Sequence, residues 1–340
     1  MRKVGLILAA LIFLLAGRRV HAARTLDVYF IDVEGGQATL FVSPTGESML
    51  VDTGWPDFAG RDADRIVAAA KLEGVNRIDY LVVTHYHADH VGGVPELAQR
   101  IPIVHFVDHG PTDVETDKMA QFLYKSYDNL ASKGSRVTAR PGEKVPVGGI
   151  DVEIVSAAGD EIAQPLAGAG QPNPLCSTTP RRALDTSENA QSVGMVITYG
   201  RFRMIDLGDL TWNKELDLVC PNNKLGTVDV YLSTHHGSDL SGSAAIVYAL
   251  HPRVAIMNNG AKKGGSVGAW QAIHTSPGLE GFWQLHYAVG GGPANNVADD
   301  FIANRDAAEG NWIKLSAEPD GSFTVTNGRN GRMVTYAGSK

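Results

Sequence analysis

Four candidate metal ligands within six residues constrain this chain more than any other stretch: His85, His87, Asp89 and His90 in Thr84-His85-Tyr86-His87-Ala88-Asp89-His90-Val91-Gly92-Gly93. They follow Ile78 to Val83, a largely apolar, β-branched run that reads as a buried strand. Core packing gives no reason to place three imidazoles and a carboxylate at the end of such a strand, because polar groups desolvated without partners are costly. A divalent cation that takes up their lone pairs removes that cost. The cluster is therefore read as a metal site that residues elsewhere in the chain must complete.

The chain has 340 residues, 44% of them hydrophobic and 20% charged, which is enough for one large or two medium domains with a substantial core. A formal net charge of −7 provides no global basic footprint for nucleic acid, and only a local basic groove is left open for that partner. Arg2 and Lys3, the apolar run Val4 to Ala16 and the small residues at Val20-His21-Ala22-Ala23 have the layout of a secretory signal peptide over residues 1–23. The apolar run is too short to span a bilayer. Arg18 and Arg19 place charge where such signals are usually neutral, so an uncleaved anchor is the alternative. The expected product is exported, periplasmic or secreted, with no transmembrane domain beyond the signal. In an oxidising compartment Cys176 and Cys220 are candidates for a disulfide, the alternative being two free thiols. With two cysteines and no CxxC spacing, nothing supports a thiolate zinc site.

Leu26–Val33, Ala38–Val42 and Met49–Val51 read as an antiparallel meander turned at Gly35-Gly36 and Ser43-Pro44-Thr45-Gly46. Asp52-Thr53-Gly54 ends the third strand, and Asp57 to Gly74 is helical by the spacing of Ala63, Ile66, Val67 and Ala70. The spacing further predicts a short helix over Val91 to Arg100, a strand over Ile103 to Val107, and an amphipathic helix over Thr116 to Lys133. Strands return over 136–155, and a Gly/Pro-rich stretch from about 157 to 190 reads as a long loop. A hairpin about Gly200 delivers Gly208-Asp209, and a strand over Val228 to Ser233 delivers Thr234-His235-His236-Gly237. A helix is expected over Ser241 to Leu250, a strand over Arg253 to Met257, a Gly-rich loop region from Asn258 to Pro293, a helix over Val297 to Glu309, and short strands at the C-terminus. Residues 24–340 are expected to form one domain, with residues 260–340 as a C-terminal elaboration.

His85-x-His87-x-Asp89-His90, preceded by Asp52-Thr53-Gly54 and followed by Gly208-Asp209 and His235-His236-Gly237, resembles the metallo-β-lactamase superfamily of binuclear metallohydrolases. Within it, Ile31-Asp32-Val33 leading to Ala38, Glu188-Asn189-Ala190-Gln191-Ser192 and His235-His236-Gly237-Ser238 look most like the hydrolase domain of the competence DNA-uptake protein, the ComEC type. The resemblance spans about residues 26 to 260 and includes no membrane channel. It implies an α/β fold, a four-layer αβ/βα sandwich with two metals at one edge of the sheets. His85 and His87 would hold the first metal, Asp89, His90 and His236 the second, and Asp209 would bridge them. His235 would stand beside the substrate. Many members have a histidine where this chain has Glu188 to Ser192, and Asn189 is the natural substitute at the first metal. The cofactors implied are two divalent ions, zinc, with manganese as an alternative at the first site because an amide oxygen is a harder ligand than imidazole. Two such metals share a hydroxide that serves as the nucleophile.

Asp52 is expected to orient the metal loop by hydrogen bonding, the alternative being an ordinary turn aspartate. Asp89, His235 and Asp52 are the candidate catalytic residues. His109 lines the cleft or is an exposed loop residue, and Trp55, Phe58, Trp270 and Trp283 form a substrate wall or simply pack. His21, His105, His251, His274 and His286 are structural by default. The function expected is metal-dependent hydrolysis of a small-molecule or polymer ester, a phosphodiester first. A β-lactam, lactone or thioester is the alternative on the same site, and a non-catalytic metal-containing module binding nucleic acid or cell-wall polymer is the alternative of another class.

Overall fold

A computed structural model describes residues 25–112, 117–306 and 309–338. The expected signal peptide lies outside the described residues. In chain order the elements are β1 (Leu26–Phe30), β2 (Thr39–Val42), β3 (Ser48–Val51), α1 (Arg61–Leu72), β4 (Ile78–Val82), α2 (Ala88–Val91), α3 (Val94–Leu97), β5 (Ile103–Asp108), α4 (Lys118–Ala131), β6 (Ser135–Thr138), β7 (Lys144–Val145), β8 (Asp151–Ala157), β9 (Asp160–Glu161), β10 (Gly194–Tyr199), β11 (Phe202–Asp206), α5 (Trp212–Val219), β12 (Val230–Leu232), α6 (Ala244–Leu250), β13 (Val254–Met257), α7 (Val267–His274), β14 (Gly281–His286), β15 (Ile302–Asn304), β16 (Ile313–Ala317), β17 (Phe323–Asn327) and β18 (Met333–Tyr336).

Two sheets form. One has the order β18-β17-β16-β1-β2-β3-β4-β5-β6, and the other β15-β14-β13-β12-β11-β10-β8-β7 with β9 on β8. Period-two alternation sorts the side chains: Leu26, Val28 and Phe30 of β1 enter the core between the sheets, while Tyr29 and Ile31 face the opposite side. There they meet Ala63, Ile66 and Ala70 of α1, Leu97 of α3 and Leu123 of α4. The outer face of the second sheet, with Ile205, Tyr231 and Ala255, packs on Leu218 of α5, Ile246 of α6 and Ile273 of α7. The result is the four-layer αβ/βα sandwich expected from the sequence.

Three expectations are corrected. The helix expected over 91–100 is two single turns, α2 and α3, and between them Gly92 lies hard against Pro56 and Gly93 against Thr53. A Cβ on Gly93 would stand 2.2 Å from the Thr53 carbonyl oxygen. The helix expected over 297–309 is a short 3-10 turn followed by β15, which pairs in parallel with β14; non-local pairing outweighs local propensity here. The Gly-rich region 258–293 contains α7 and β14, whose Trp283 is fully buried between the sheets, so it belongs to the core and to no substrate wall. Residues beyond 260 supply edge strands to both sheets, β14 and β15 to one and β16 to β18 to the other.

Strands β3, β4 and β5 run parallel in the first sheet, and β11 to β15 run parallel in the second. Their carboxyl ends share one edge of the sandwich, the place where α/β sheets expose loops and helix starts to ligands.

Candidate metal centre

Asp52 follows β3, residues 84–90 follow β4, Asp209 follows β11, and residues 234–237 follow β12. Every candidate ligand but Asn189 is thus delivered by the carboxyl end of a parallel strand, and Asn189 lies on the turn that precedes β10. The loops are then tied by backbone bonds: Thr53 N to His90 O at 2.7 Å, Val193 N to Thr84 O at 2.9 Å and His235 N to Gly208 O at 2.9 Å. His235 and His236 both have φ of +55°, a left-handed backbone that costs non-glycine residues energy and persists where surrounding contacts hold it.

Asp89, His90, Asp209 and His236 converge, with one ligand atom from each lying within 4.8 Å of all the others. His90 Nε2 and His236 Nε2 are 3.2 Å apart. Asp209 Oδ1 stands 3.3 Å from the first and 3.2 Å from the second, and Asp89 Oδ2 is 3.2 Å from each. Ligands about 2.0–2.1 Å from a tetrahedral zinc stand about 3.4 Å from one another. These separations therefore match ligands around a common centre. Asp209 Oδ1 is buried with no hydrogen-bond donor assigned to it, which is an unmet need that a cation satisfies.

A second set gathers on the other oxygen of Asp209. His85 Nε2 lies 4.0 Å and His235 Nε2 3.3 Å from Asp209 Oδ2, and His85 Nε2 is 3.1 Å from His87 Nδ1. The two histidines of the 235–236 step thus face opposite oxygens of one carboxylate, with His236 on the side of Asp89 and His90. Asn189, on a 3-10 turn at 188–191, is buried with Oδ1 unpartnered. This set is looser than the first. The donors present, imidazoles with carboxylates and one amide, suit zinc or manganese.

Outside the ligands, Asp52 has no exposed surface; it accepts from His90 Nδ1 at 2.7 Å, Thr84 N at 2.8 Å and Thr84 Oγ1 at 2.7 Å. It holds the His90 ring so that Nε2 points into the cluster. His87 Nε2 is paired with Asp117 Oδ2 at 3.0 Å, and His235 Nδ1 lies 3.4 Å from Ser241 Oγ. Glu188 accepts from Tyr86 N and Thr112 Oγ1 and pairs with His109 Nε2 at 2.8 Å. His109 is therefore a buried support of the 84–90 loop, which corrects both the cleft and the exposed-loop expectation. His286, expected to be structural, sits with Asp32 and Glu34 in a separate cluster, 2.6 Å from Asp32 Oδ1. Arg65 also pairs with Asp32 at 2.7 Å and gives that cluster its own cation. Phe58 is exposed beneath Arg61, and Trp270 is buried against His274. Sequence reasoning missed Asp117 and Lys263. Lys263 Nζ contacts Asp89 Oδ2 and stands 5.2 Å over the Trp55 ring. Its one signal was a lysine inside the glycine-rich loop that follows β13.

Burial penalises charge throughout the centre, and the neighbours decide the outcome. Burial, reinforced by His90 and His87, holds the His85 imidazole well below its ordinary pKa, leaving it neutral with a lone pair to donate. Burial likewise lowers His235. For Asp209 and Asp89 burial works upward but is overcome by the surrounding histidines, so both carboxylates stay well below the usual range. His90 is pushed well above its ordinary value, because Asp209, Asp89 and Asp52 outweigh its burial. Three carboxylates about one imidazole are an excess of negative charge that a divalent cation offsets.

Among curated proteins, the chain is similar to an atrochrysone carboxyl ACP thioesterase of Cryptosporiopsis sp., at 31% identity over 84 residues, 24% of each chain. It is also similar to a hydroxyacylglutathione hydrolase of Xanthomonas campestris pv. campestris, at 38% identity over 72 residues, 21% of this chain and 24% of that one. The chain thus spans about a quarter of the length of these relatives, 24% in each case. Among solved structures, the metallo-β-lactamase fold protein YhfI of Bacillus subtilis has 14% identity and a TM-score of 0.46, covering 76% of this chain and 95% of that one. The family model described as the metallo-beta-lactamase superfamily matches residues 31–170, the stretch that supplies Asp52 and every candidate ligand from His85 to His90.

Proposed function

We propose that this protein is an exported metal-dependent hydrolase acting on a phosphodiester or related ester. The convergence of Asp89, His90, Asp209 and His236 on one point, with His85 and His235 on the other oxygen of Asp209, is the observation that carries the reading. Divalent cations in such a centre activate water at neutral pH and polarise the substrate oxygen. His85, His87 and Asn189 would hold one ion and Asp89, His90 and His236 the other, with Asp209 between. Asp52 fixes the His90 ring, and the burial of His85, His90 and His236 keeps bulk water from the ligands. His235, buried beside Asp209 with a tenth of its side chain exposed, would meet the substrate.

The motifs around Asp32, Asn189 and His236 that resemble the competence-type hydrolase favour a phosphodiester. A thioester is the second reading, supported by the names of the two curated relatives, a thioesterase and a hydroxyacylglutathione hydrolase. Export is supported by the sequence layout at residues 1–23 and by the Cys176–Cys220 disulfide. No helix among the described residues is long and apolar enough to cross a membrane.

The test is a substrate screen on purified, zinc-loaded and manganese-loaded protein with bis(p-nitrophenyl) phosphate, an acyl-glutathione thioester, a lactone and nitrocefin. Turnover of the phosphodiester above the others supports the first reading, and preference for the thioester replaces it with the second. Bound metal with no turnover of any probe favours the non-catalytic binding module.

A further inference from the structure

We propose that Lys263, backed by the Trp55 ring, selects substrates that carry an oxyanion next to the scissile bond. The proposal rests on the hydrolase reading and names the substrate class of that same site.

Exposure shows where the centre opens. The His85, His90 and His236 side chains have no exposed surface, whereas His87 is 27% and Lys263 36% exposed. His87 and Lys263 are thus the members of this group most accessible to solvent, and so to a substrate. Among the described residues Lys263 is the lysine or arginine that pairs with a carboxylate of the metal centre, through Asp89. A lysine serving only to neutralise Asp89 would be sealed in with it; this one keeps a third of its side chain in solvent at the mouth.

Its backbone is held as firmly as those of the ligands. Gly260 N donates to Lys263 O at 2.9 Å, and Gly265 N donates to His236 O at 2.9 Å, so the 260–265 loop is stitched to the ligand turn. Gly264 comes so close that a Cβ there would stand 2.1 Å from the His236 carbonyl oxygen. The Trp55 backbone is fixed in turn, since its main-chain N–H donates to Asp62 Oδ2 at 2.9 Å and it follows the Asp52-Thr53-Gly54 turn. The ring under the ammonium restrains the flexible stem and lowers the ordering cost of an ionic contact. A single ammonium at this position is suited to an anionic oxygen flanking the reacting centre: a non-bridging phosphoryl oxygen or a carboxylate beside a carbonyl.

Metal-loaded wild-type protein, K263R and K263Q are titrated calorimetrically with inorganic phosphate and, separately, with benzoate, and the metal content of each sample is measured alongside. At least one anion is expected to bind about tenfold more weakly to K263Q, the scale of one charge-assisted contact, and K263R is expected to recover most of the loss. A fall for phosphate identifies a phosphoryl group, and a fall for benzoate a carboxylate. Equal affinities for both anions in all three proteins overturn the proposal. So does loss of metal from K263Q, which would reduce Lys263 to a prop for Asp89. Because the titration needs no turnover, phosphate bound through Lys263 in a protein that hydrolyses no ester would sink the hydrolase reading and leave the anion site standing.

Discussion

Asp52 Oδ2 accepts the Nδ1 hydrogen of His90 at 2.7 Å, and the same carboxylate takes both donors of Thr84. One residue at the end of β3 thereby aims a ligand and anchors the loop leaving β4. Replacing Asp52 by Ala strands His90 Nδ1 and Thr84 N in a buried place. The expected result is metal affinity lower by about 10–100-fold, read by zinc titration against a competing chelator. Wild-type affinity in this variant would show that Asp52 is only a turn residue.

His235 and His236 separate by experiment because they face different oxygens of Asp209. H236A is expected to lose the ion shared with Asp89 and His90, whereas H235A keeps it and loses turnover. Metal content by mass spectrometry and kcat measured on the same samples check this. The reverse pattern would exchange the two roles.

Glu215 is fully buried under the 234–237 turn, where its carboxylate accepts from Gly242 N at 2.7 Å. Burial pushes its pKa up from 4.5 to about 7. A raised folded-state pKa stabilises below the unfolded value, and that contribution is lost as pH rises through the folded one. Its contribution therefore fades between about pH 4.5 and 7. Glu215→Gln keeps an acceptor and removes the titration. Its Tm is expected to exceed that of wild type progressively across this window, by up to on the order of 3 kcal/mol in stability at pH 8. Parallel Tm curves would show that the carboxylate is not buried as described.

Cys176 and Cys220 form a disulfide with Cα atoms 5.7 Å apart, closing a loop of sequence separation 44 and fastening the 157–190 segment to the end of α5. Replacing both by serine is expected to cost about 4 kcal/mol, chiefly by freeing the unfolded chain. A chemical denaturation series with and without reductant measures it. An unmoved midpoint would mean that the crosslink constrains little.

Much of the first half was legible because its signals are local. Alternation in β1 to β4 and the turn residues at Gly35-Gly36 and Gly46 fall where the strands and turns are. The expected helix over 297–309 failed for the opposite reason: Ile302 to Asn304 are a strand because β14 offers them a partner, and no short window of sequence contains β14. Lys263 escaped notice in the same way, since 174 positions separate it from Asp89.

What the sequence determined by itself was chemistry. Residue types and their spacing after an apolar run specify imidazole and carboxylate donors at strand ends, with a cation as the natural partner. The tertiary structure decided convergence. Parallel pairing of β3, β4 and β5 in one sheet, and of β11 to β13 in the other, sends residues more than a hundred positions apart to one edge. Only the packing of those loops put His236 on one oxygen of Asp209, His235 on the other, and Lys263 at the mouth, because a side chain's neighbours across two sheets depend on register and layer contacts that local spacing does not encode.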